Sequence, residues 1–376
     1  MNTELSLFDR PLQLQRFPVR KHEQLQAWDA GDEYLIRHVE ELQLAEGRNI
    51  LIIDDHFGAL SCWFSARHNV TMMSDSHISW LATERNLQHN ACRPIQQLST
   101  MDAVPANTQL VLLQLPKNNR HLIWILSQLR QSLADGCQVI AVNKAREIHS
   151  STLKLFEKYL GTTTTSLAWK KHRLVFSQPD CQPGQTVEPL TRWQVAEHNL
   201  NLANWPNVYS GESLDLGARF FLQHLPQSEQ IQRVIDLGCG NGVLSVAIAR
   251  LNPQAHITCV DESIMAVASA RHNLEQNQIA TERVTLKVNN CLDGFAADQA
   301  DLVLCNPPFH QQLAITDHIA WQMFCDAKHV LSPGGQLLVI GNRHLGYDGK
   351  LKRLFGKNQV KTVAANNKFV VLQATK

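Results

Sequence analysis

Asn306-Pro307-Pro308-Phe309 and Asp236-Leu237-Gly238-Cys239-Gly240-Asn241-Gly242 are the two stretches whose residue types can do chemistry. In the first, an asparagine acceptor sits on a chain stiffened by two prolines. A planar amine or amide nitrogen is a poor nucleophile while its lone pair is delocalised. If Asn306 Oδ1 and the Pro307 carbonyl each accept one N–H, that lone pair turns out of plane, and Phe309 can stack on a base. Such a reaction rests on positioning, with no general base and no metal. The alternative for the tetrapeptide alone is a proline-stiffened turn after an ordinary strand.

In the second stretch, glycines at alternate positions let backbone N–H groups face a ligand without Cβ interference. A dinucleotide fingerprint would need a third glycine at position 243, which is Val243. Asp-x-Gly-x-Gly-x-Gly instead resembles the S-adenosylmethionine (AdoMet) loop of class I methyltransferases. Asp261 ends the next apolar run, Ile257–Val260, where a carboxylate can accept from both ribose hydroxyls. Asp236, Gly238, Gly240, Gly242 and Asp261 are therefore the candidate cofactor residues. A tight strand-to-helix turn with a helix cap at Asp261 is the competing reading.

The elements that must position these residues follow from local pattern. Val234-Ile235-Asp236 and Leu302-Val303-Leu304-Cys305 read as buried strands, Val243–Ala249 as a helix, and Val284–Val288 as a further strand. Leu313–Leu331, with Trp321 and Phe324 at helical spacing, reads as a core-facing helix. The chain has 376 residues, 44% of them hydrophobic, which suits two α/β domains. No apolar run approaches a membrane span, no signal peptide is evident, and nine cysteines lack any Cys-x-x-Cys pair. A cytoplasmic, monomeric protein without structural zinc is the expectation. Cys239 and Cys305 read as small apolar fillers, and the 17 histidines form no metal-binding cluster.

The first half repeats the second with its chemistry erased. Ile53-Asp54 and Gly58-Ala59-Leu60-Ser61 parallel Ile235-Asp236 and Gly242-Val243-Leu244-Ser245, with the intervening segment two residues shorter. Asn86–Asn90 parallels Asn273–Asn277. Gln114 answers Asn306, and Lys117 answers Phe309. The expected organisation is a degenerate methyltransferase-like domain over residues 1–178, a linker over 179–189, and a catalytic domain over 190–376. Net charge is only +1, yet Gly341–Lys376 holds eight Lys/Arg against one acid, and Ile140–Arg173 seven against two. Lys144, Arg146, Lys170, Lys171, Arg173 and Arg343 are the candidate phosphate contacts, a solvated basic face being the bland alternative.

Longer strings carry a resemblance: Leu14-Gln15-Arg16-Phe17-Pro18, Leu167-Ala168-Trp169-Lys170-Lys171, Leu214-Asp215-Leu216-Gly217-Ala218-Arg219-Phe220-Phe221 and Asn306–Gln312. Over nearly its whole length the chain is similar to the ribosomal RNA guanine-N2 methyltransferases, the family that also holds the small-subunit methyltransferase C. That implies two tandem class I (Rossmann-like) domains from a duplication, the first without a cofactor site. It also implies AdoMet-dependent methylation of the exocyclic N2 of a guanine in 23S rRNA. Asp215 and Gly217 would lie over the methionine end of AdoMet, and Asn290 by the adenine. Asp215 can equally cap a helix Leu216–Leu225, and Asn289-Asn290 can equally be a turn. Two rival functions remain, glutamine-N5 methylation of a protein and a non-catalytic RNA-binding assembly factor.

Overall fold

The computed structural model describes residues 2–20, 23–180, 186–308 and 313–376, and for 313–317 the backbone alone. The chain folds as two units, Met1–Glu188 and Pro189–Lys376. Cys181-Gln182-Pro183-Gly184, inside the expected linker, lies outside the described residues. Just before it, Asp180 is held by the Arg130 guanidinium.

The first unit opens with a hairpin, β1 (Glu4–Leu7) and β2 (Arg10–Gln13), then α1 (Ala30–Glu41). Next come β3 (Asn49–Ile53), α2 (Ala59–Phe64), β4 (Asn69–Met73), α3 (His77–His89) and β5 (Gln96–Leu98). β6 (Leu110–Gln114), α4 (Asn119–Ser132), β7 (Gln138–Lys144), α5 (Ser150–Tyr159), β8 (Thr163–Thr165) and β9 (His172–Ser177) complete it. The second unit repeats the plan. A hairpin of β10 (Thr191–Val195) and β11 (Leu200–Asn204) precedes α6 (Leu216–Leu222), β12 (Arg233–Leu237), α7 (Val243–Leu251), β13 (His256–Asp261) and α8 (Ile264–Gln276). It ends with β14 (Val284–Val288), β15 (Ala300–Cys305), α9 (Leu313–Val330), β16 (Leu331–Asn342), α10 (Tyr347–Phe355), β17 (Val360–Ala365) and β18 (Phe369–Thr375).

Each unit carries a seven-stranded sheet of identical order, β5-β4-β3-β6-β7-β9-β8 and β14-β13-β12-β15-β16-β18-β17. The first four pairings in each are parallel and the last two antiparallel, so six strands share one direction and β9 or β18 alone runs against them. Parallel strands are covered by helices on both faces, so they need apolar side chains on both. In β15, Leu302 and Leu304 enter one core cluster while Val303 and Cys305 enter the other. Cys305 is fully buried among apolar side chains, as a filler should be.

The correspondence between the two units extends to single hydrogen bonds. Asn86 of α3 and Asn90, its C-cap, accept from the backbone N–H of Gln15 and Gln13, at 3.0 and 2.8 Å. Asn273 of α8 and Asn277, its C-cap, do the same for Ala203 and Asn201, at 2.7 and 3.2 Å. In both units this pair stitches the leading hairpin to the helix after the second parallel strand. Gly58 and Gly242 share left-handed backbone, φ 81° and 77°, and a Cβ on either would meet the helix opposite, at the Thr83 or Ala270 backbone, at 2.8 and 2.9 Å.

Register corrects one expected correspondence. Ile50 pairs with Leu110 as Val234 pairs with Leu302, so Ile52, not Asp54, stands where Asp236 stands. The segment to Gly58 is then the same length as the segment to Gly242, with no deletion. Asp54 occupies the place of Gly238: it shares the positive φ, 61° against 74°, and the same bond, its N–H donating to Met73 as that of Gly238 donates to Val260. The sequence match aligned two aspartates, whereas the sheet aligns two backbones.

Candidate active site

In a doubly wound sheet, ligands bind beyond the carboxyl ends of the strands where strand order reverses. Here that point lies between β12 and β15, whose last paired residues are Leu237 and Cys305. Gly238 and Asn306 are the next residue on each strand. Neighbouring strand ends therefore bring the two motifs together.

The glycine loop leaves β12 with all three glycines at positive φ, 74°, 52° and 77° at Gly238, Gly240 and Gly242. The N–H groups of Gly238 and Cys239 donate to the Val260 carbonyl at 2.8 and 3.0 Å, strapping the loop to β13. Asp261 closes the loop from the other side. One of its oxygens accepts from Gly240 N–H at 2.9 Å and the other from Ser263 N–H at 3.0 Å. The Glu262 N–H also bonds this carboxylate. Crowding by protein raises the Asp261 pKa, while these N–H donors pull the other way. A Cβ on Gly240 would meet nothing within 4 Å, so the loop opens on free space there.

Asp236 is 1% exposed, and its Oδ2 accepts from the Ser245 hydroxyl. Its Oδ1 is buried without a hydrogen-bond partner. Burial pushes this carboxyl up to about 7, with the charge of Asp261 adding to the effect and the Ser245 bond opposing it. Asn306 presents a second orphan, an Oδ1 buried with no partner. Such groups are uncommon, since an unsatisfied buried acceptor costs about 1–3 kcal/mol. An orphan carboxylate oxygen, an orphan amide oxygen and an open glycine cradle fit a ligand with cationic and N–H groups. Pro307 is buried and Pro308 exposed, whereas Phe309 and His310 lie outside the described residues.

Other expected residues divide. Asp215 caps α6, accepting from Ala218 N–H at 3.0 Å, and α6 ends at Leu222 rather than Leu225. Gly217 is buried in the first turn of that helix. Asn290 is buried at the end of β14, within a turn whose Asp293 N–H donates to its carbonyl. Its side-chain oxygen accepts from Gln322 at 3.3 Å, a partner on α9 that no local pattern announces. Met323 is a second surprise, its Cε 3.1 Å from where a Gly238 Cβ would be. Phe324 is core, as expected, but Trp321 is not. It is half-buried in a cleft of about 550 Å³ with His318, Lys350 and Arg353, the Arg353 guanidinium carbon 5.3 Å from its ring centroid.

The equivalent place in the first unit is filled by its own side chains. The glycine positions 238 and 240 are occupied by Asp54 and His56, and the Asp261 position by Ser74, whose hydroxyl donates to Asp54 Oδ1 at 3.2 Å. Gln114, in place of Asn306, donates to the Asp32 carboxylate and so is not an orphan.

The basic candidates do gather. Lys144 pairs with His172, Asn143 with Arg173, and Ala145 N–H donates to the Lys171 carbonyl at 2.8 Å. Lys144, Arg146, Lys170 and Lys171 are exposed and Arg173 half-buried. Two already hold carboxylates, Lys170 with Glu33 at 2.8 Å and Arg146 with Glu147 at 3.1 Å. Arg343, in the second unit, is exposed and donates to the Asn366 carbonyl at 3.2 Å. Among the described residues no helix is long and apolar enough to cross a membrane, and no cluster of His, Cys, Asp or Glu can hold a metal ion.

Comparison with known proteins agrees with both halves. Residues 2–181 match the RLMG N-terminal domain and residues 199–373 the methyltransferase small domain. The ribosomal RNA large subunit methyltransferase G of Vibrio vulnificus (strain YJ016) is 67% identical over 376 residues, all of both chains. That of Vibrio cholerae serotype O1 (strain O395) is 62% identical, again over the full length of both. Among solved structures, a 16S rRNA N2 methyltransferase of T. thermophilus, in complex with AdoMet and guanosine, superposes with a TM-score of 0.76. It covers 100% of this chain and 97% of its own at 20% identity, a likeness of fold.

Proposed function

This chain belongs to the ribosomal RNA large subunit methyltransferase G family, and we propose from that premise that it methylates the exocyclic N2 of one guanine in 23S rRNA, with AdoMet as donor. The observation that carries the reading is the buried, unsatisfied Asn306 Oδ1 one residue beyond β15, beside the glycine loop. AdoMet, when bound, supplies an electrophilic methyl group. Asp261 would accept from its ribose hydroxyls, the Gly238–Gly242 backbone would hold it, and Asp236 would answer its positive charge. Gly217, Asp215 and Asn290 would contribute the remaining contacts.

Asn306 Oδ1 and the Pro307 carbonyl each accept one N–H of the guanine amine. That fixes the amino group and turns its lone pair towards the methyl donor. Proline at 307 and 308 holds the two acceptors on a stiff chain, so little reorganisation is needed at the moment of transfer. The methylated nitrogen is then a strong acid and loses its extra proton to water without a positioned base. Because a paired guanine ties its N2 to cytosine, the target is a loop nucleotide or one flipped out of its helix. The first unit, whose loop lacks two of the three glycines, holds the RNA through Lys144, Arg146, Lys170, Lys171 and Arg173.

Labelled AdoMet offered with deproteinised 23S rRNA, intact 50S particles, 16S rRNA and release factor tests this directly. Label is expected in 23S rRNA, in the deproteinised form above the particle, and as N2-methylguanine on nucleoside analysis. Label only in protein would instead mark an amide methyltransferase, and none anywhere would mark an assembly factor.

Asp236 makes cofactor binding depend on pH. Its carboxyl titrates at about 7 against an ordinary 3.8, so the empty fold favours the protonated form. That contribution to stability is complete below about pH 4 and is lost as pH rises through 7. A cationic ligand favours the carboxylate, so AdoMet affinity should rise about tenfold per unit up to pH 7 and then level. Calorimetry across this range should give that slope, and Asp236→Asn should flatten it.

The basic set makes a separate prediction. Replacing Lys144, Arg146, Lys170, Lys171 and Arg173 with alanine should weaken rRNA binding. Each lost phosphate contact should reduce the slope of log affinity against log salt by roughly 0.7–0.9. AdoMet affinity should not move.

A further inference from the structure

Two hairpin tips of the first unit converge on one arginine. The β1–β2 turn holds Phe8 and Asp9 at φ 48° and 58°, and the turn before β9 holds Lys170 and Lys171 at 43° and 64°. Two-residue hairpins of this hand ordinarily use asparagine and glycine. Here a phenylalanine and two lysines accept the left-handed region. Arg37 of α1 lies between the tips, its guanidinium carbon 5.6 Å from the Phe8 ring centroid and 5.5 Å from that of Trp169. Tyr34, one turn earlier, packs against Trp169 at 5.4 Å and donates its hydroxyl to the Leu167 carbonyl at 3.0 Å. Lys170 Nζ stands 4.6 Å over the Trp169 ring. The outer side is open, with Phe8 55% and Leu167 88% exposed.

We propose that Phe8, Arg37, Leu167 and Trp169 form a stacking platform for unpaired RNA bases, adjoining the phosphate contacts of Lys144, Arg146 and Lys171. This rests on the reading of the first unit as an RNA-binding domain and states which RNA it takes. Cations alone suffice to hold phosphates, and they explain neither the exposed ring nor the exposed leucine. An unpaired base brings a flat apolar face for the rings and guanidinium and, one bond chain away, a phosphate for the lysines. An A-form duplex keeps its base faces stacked inside and cannot offer them to such a surface. The platform therefore selects single-stranded segments, which is where a guanine with a free N2 is found.

The full-length chain can be titrated with a short single-stranded oligoribonucleotide of mixed sequence and with the corresponding RNA duplex. Phe8→Gly and Trp169→Ala are each expected to weaken single-strand binding roughly tenfold, with the salt slope and duplex affinity unchanged. Trp169→Phe should restore most of the loss. Phe8→Gly also removes a side chain from a strained turn, so its melting temperature should hold or rise, separating lost stacking from lost folding. Unchanged single-strand affinity in the ring variants, with a flattened slope in Lys170→Ala/Lys171→Ala, would overturn the platform and leave electrostatic RNA binding standing. Equal weakening for single strand and duplex would also overturn it. If neither ring nor lysine variants alter RNA binding, the RNA-binding reading of the first unit falls with it.

Discussion

Replacing Asn306 with alanine is expected to abolish methyl transfer while AdoMet binds with nearly unchanged affinity. In the proposed mechanism the amide oxygen orients the attacking amine, and correct positioning of reactants can be worth on the order of 7 kcal/mol at best. A loss of at least about a thousandfold in single-turnover rate is the expected scale, since each 1.4 kcal/mol is a factor of ten. The fold gives an independent check. Asn306 Oδ1 is buried and unsatisfied before any substrate arrives. Removing it deletes a group that destabilises the free protein, so the melting temperature of Asn306→Ala should hold or rise. A catalytic loss with retained stability and retained cofactor binding is what a positioning residue gives. Near-normal turnover in this variant would refute the positioning mechanism.

Asp261→Ala should do the reverse, losing cofactor while sparing the chemistry. Both carboxylate oxygens are engaged by the protein, at Gly240 and Ser263 N–H, so the alanine variant loses the ribose contacts and also the clamp on the glycine loop. Hydrogen bonds to a charged group contribute about 1.5–3 kcal/mol each. Two lost to ribose predict a fall in AdoMet affinity of at least about a hundredfold. Turnover at saturating AdoMet should change far less, because Asn306 and Pro307 are untouched. Asp261→Asn keeps one acceptor oxygen and should fall between. Calorimetry and kcat at saturation together decide, and a collapse of kcat with intact affinity would reassign this carboxylate.

Residues whose role is written in their own backbone are legible without coordinates. Glycine at 238, 240 and 242 is favoured by three positive φ values, and the strands of the second sheet follow from apolar runs that must face helices on both sides. Family resemblance rests on the same kind of local string. The first unit is less legible for a physical reason. Where chemistry is erased, selection on side chains relaxes, while the sheet still holds the backbone. Aligning Asp54 with Asp236 matches two letters, yet the hydrogen-bond register matches Asp54 to Gly238. The bond from Gln114 to Asp32 spans elements far apart in the chain and has no local signature.

What the sequence determined by itself is therefore the class of chemistry and the cofactor loop, because residue type and short-range spacing set which atoms can accept, donate or approach. Tertiary structure alone decided which atoms lack a partner. Asn306 Oδ1 and Asp236 Oδ1 are orphans only because their strands end side by side in a buried place, and Trp321 leaves the core only because it faces the cleft that Lys350 and Arg353 of α10 also line. Phe8, Arg37 and Trp169 meet through two hairpin tips and a helix that no spacing rule connects. Satisfaction of a polar group, or exposure of a ring, is a property of everything packed around it, and that is fixed only when the chain has folded.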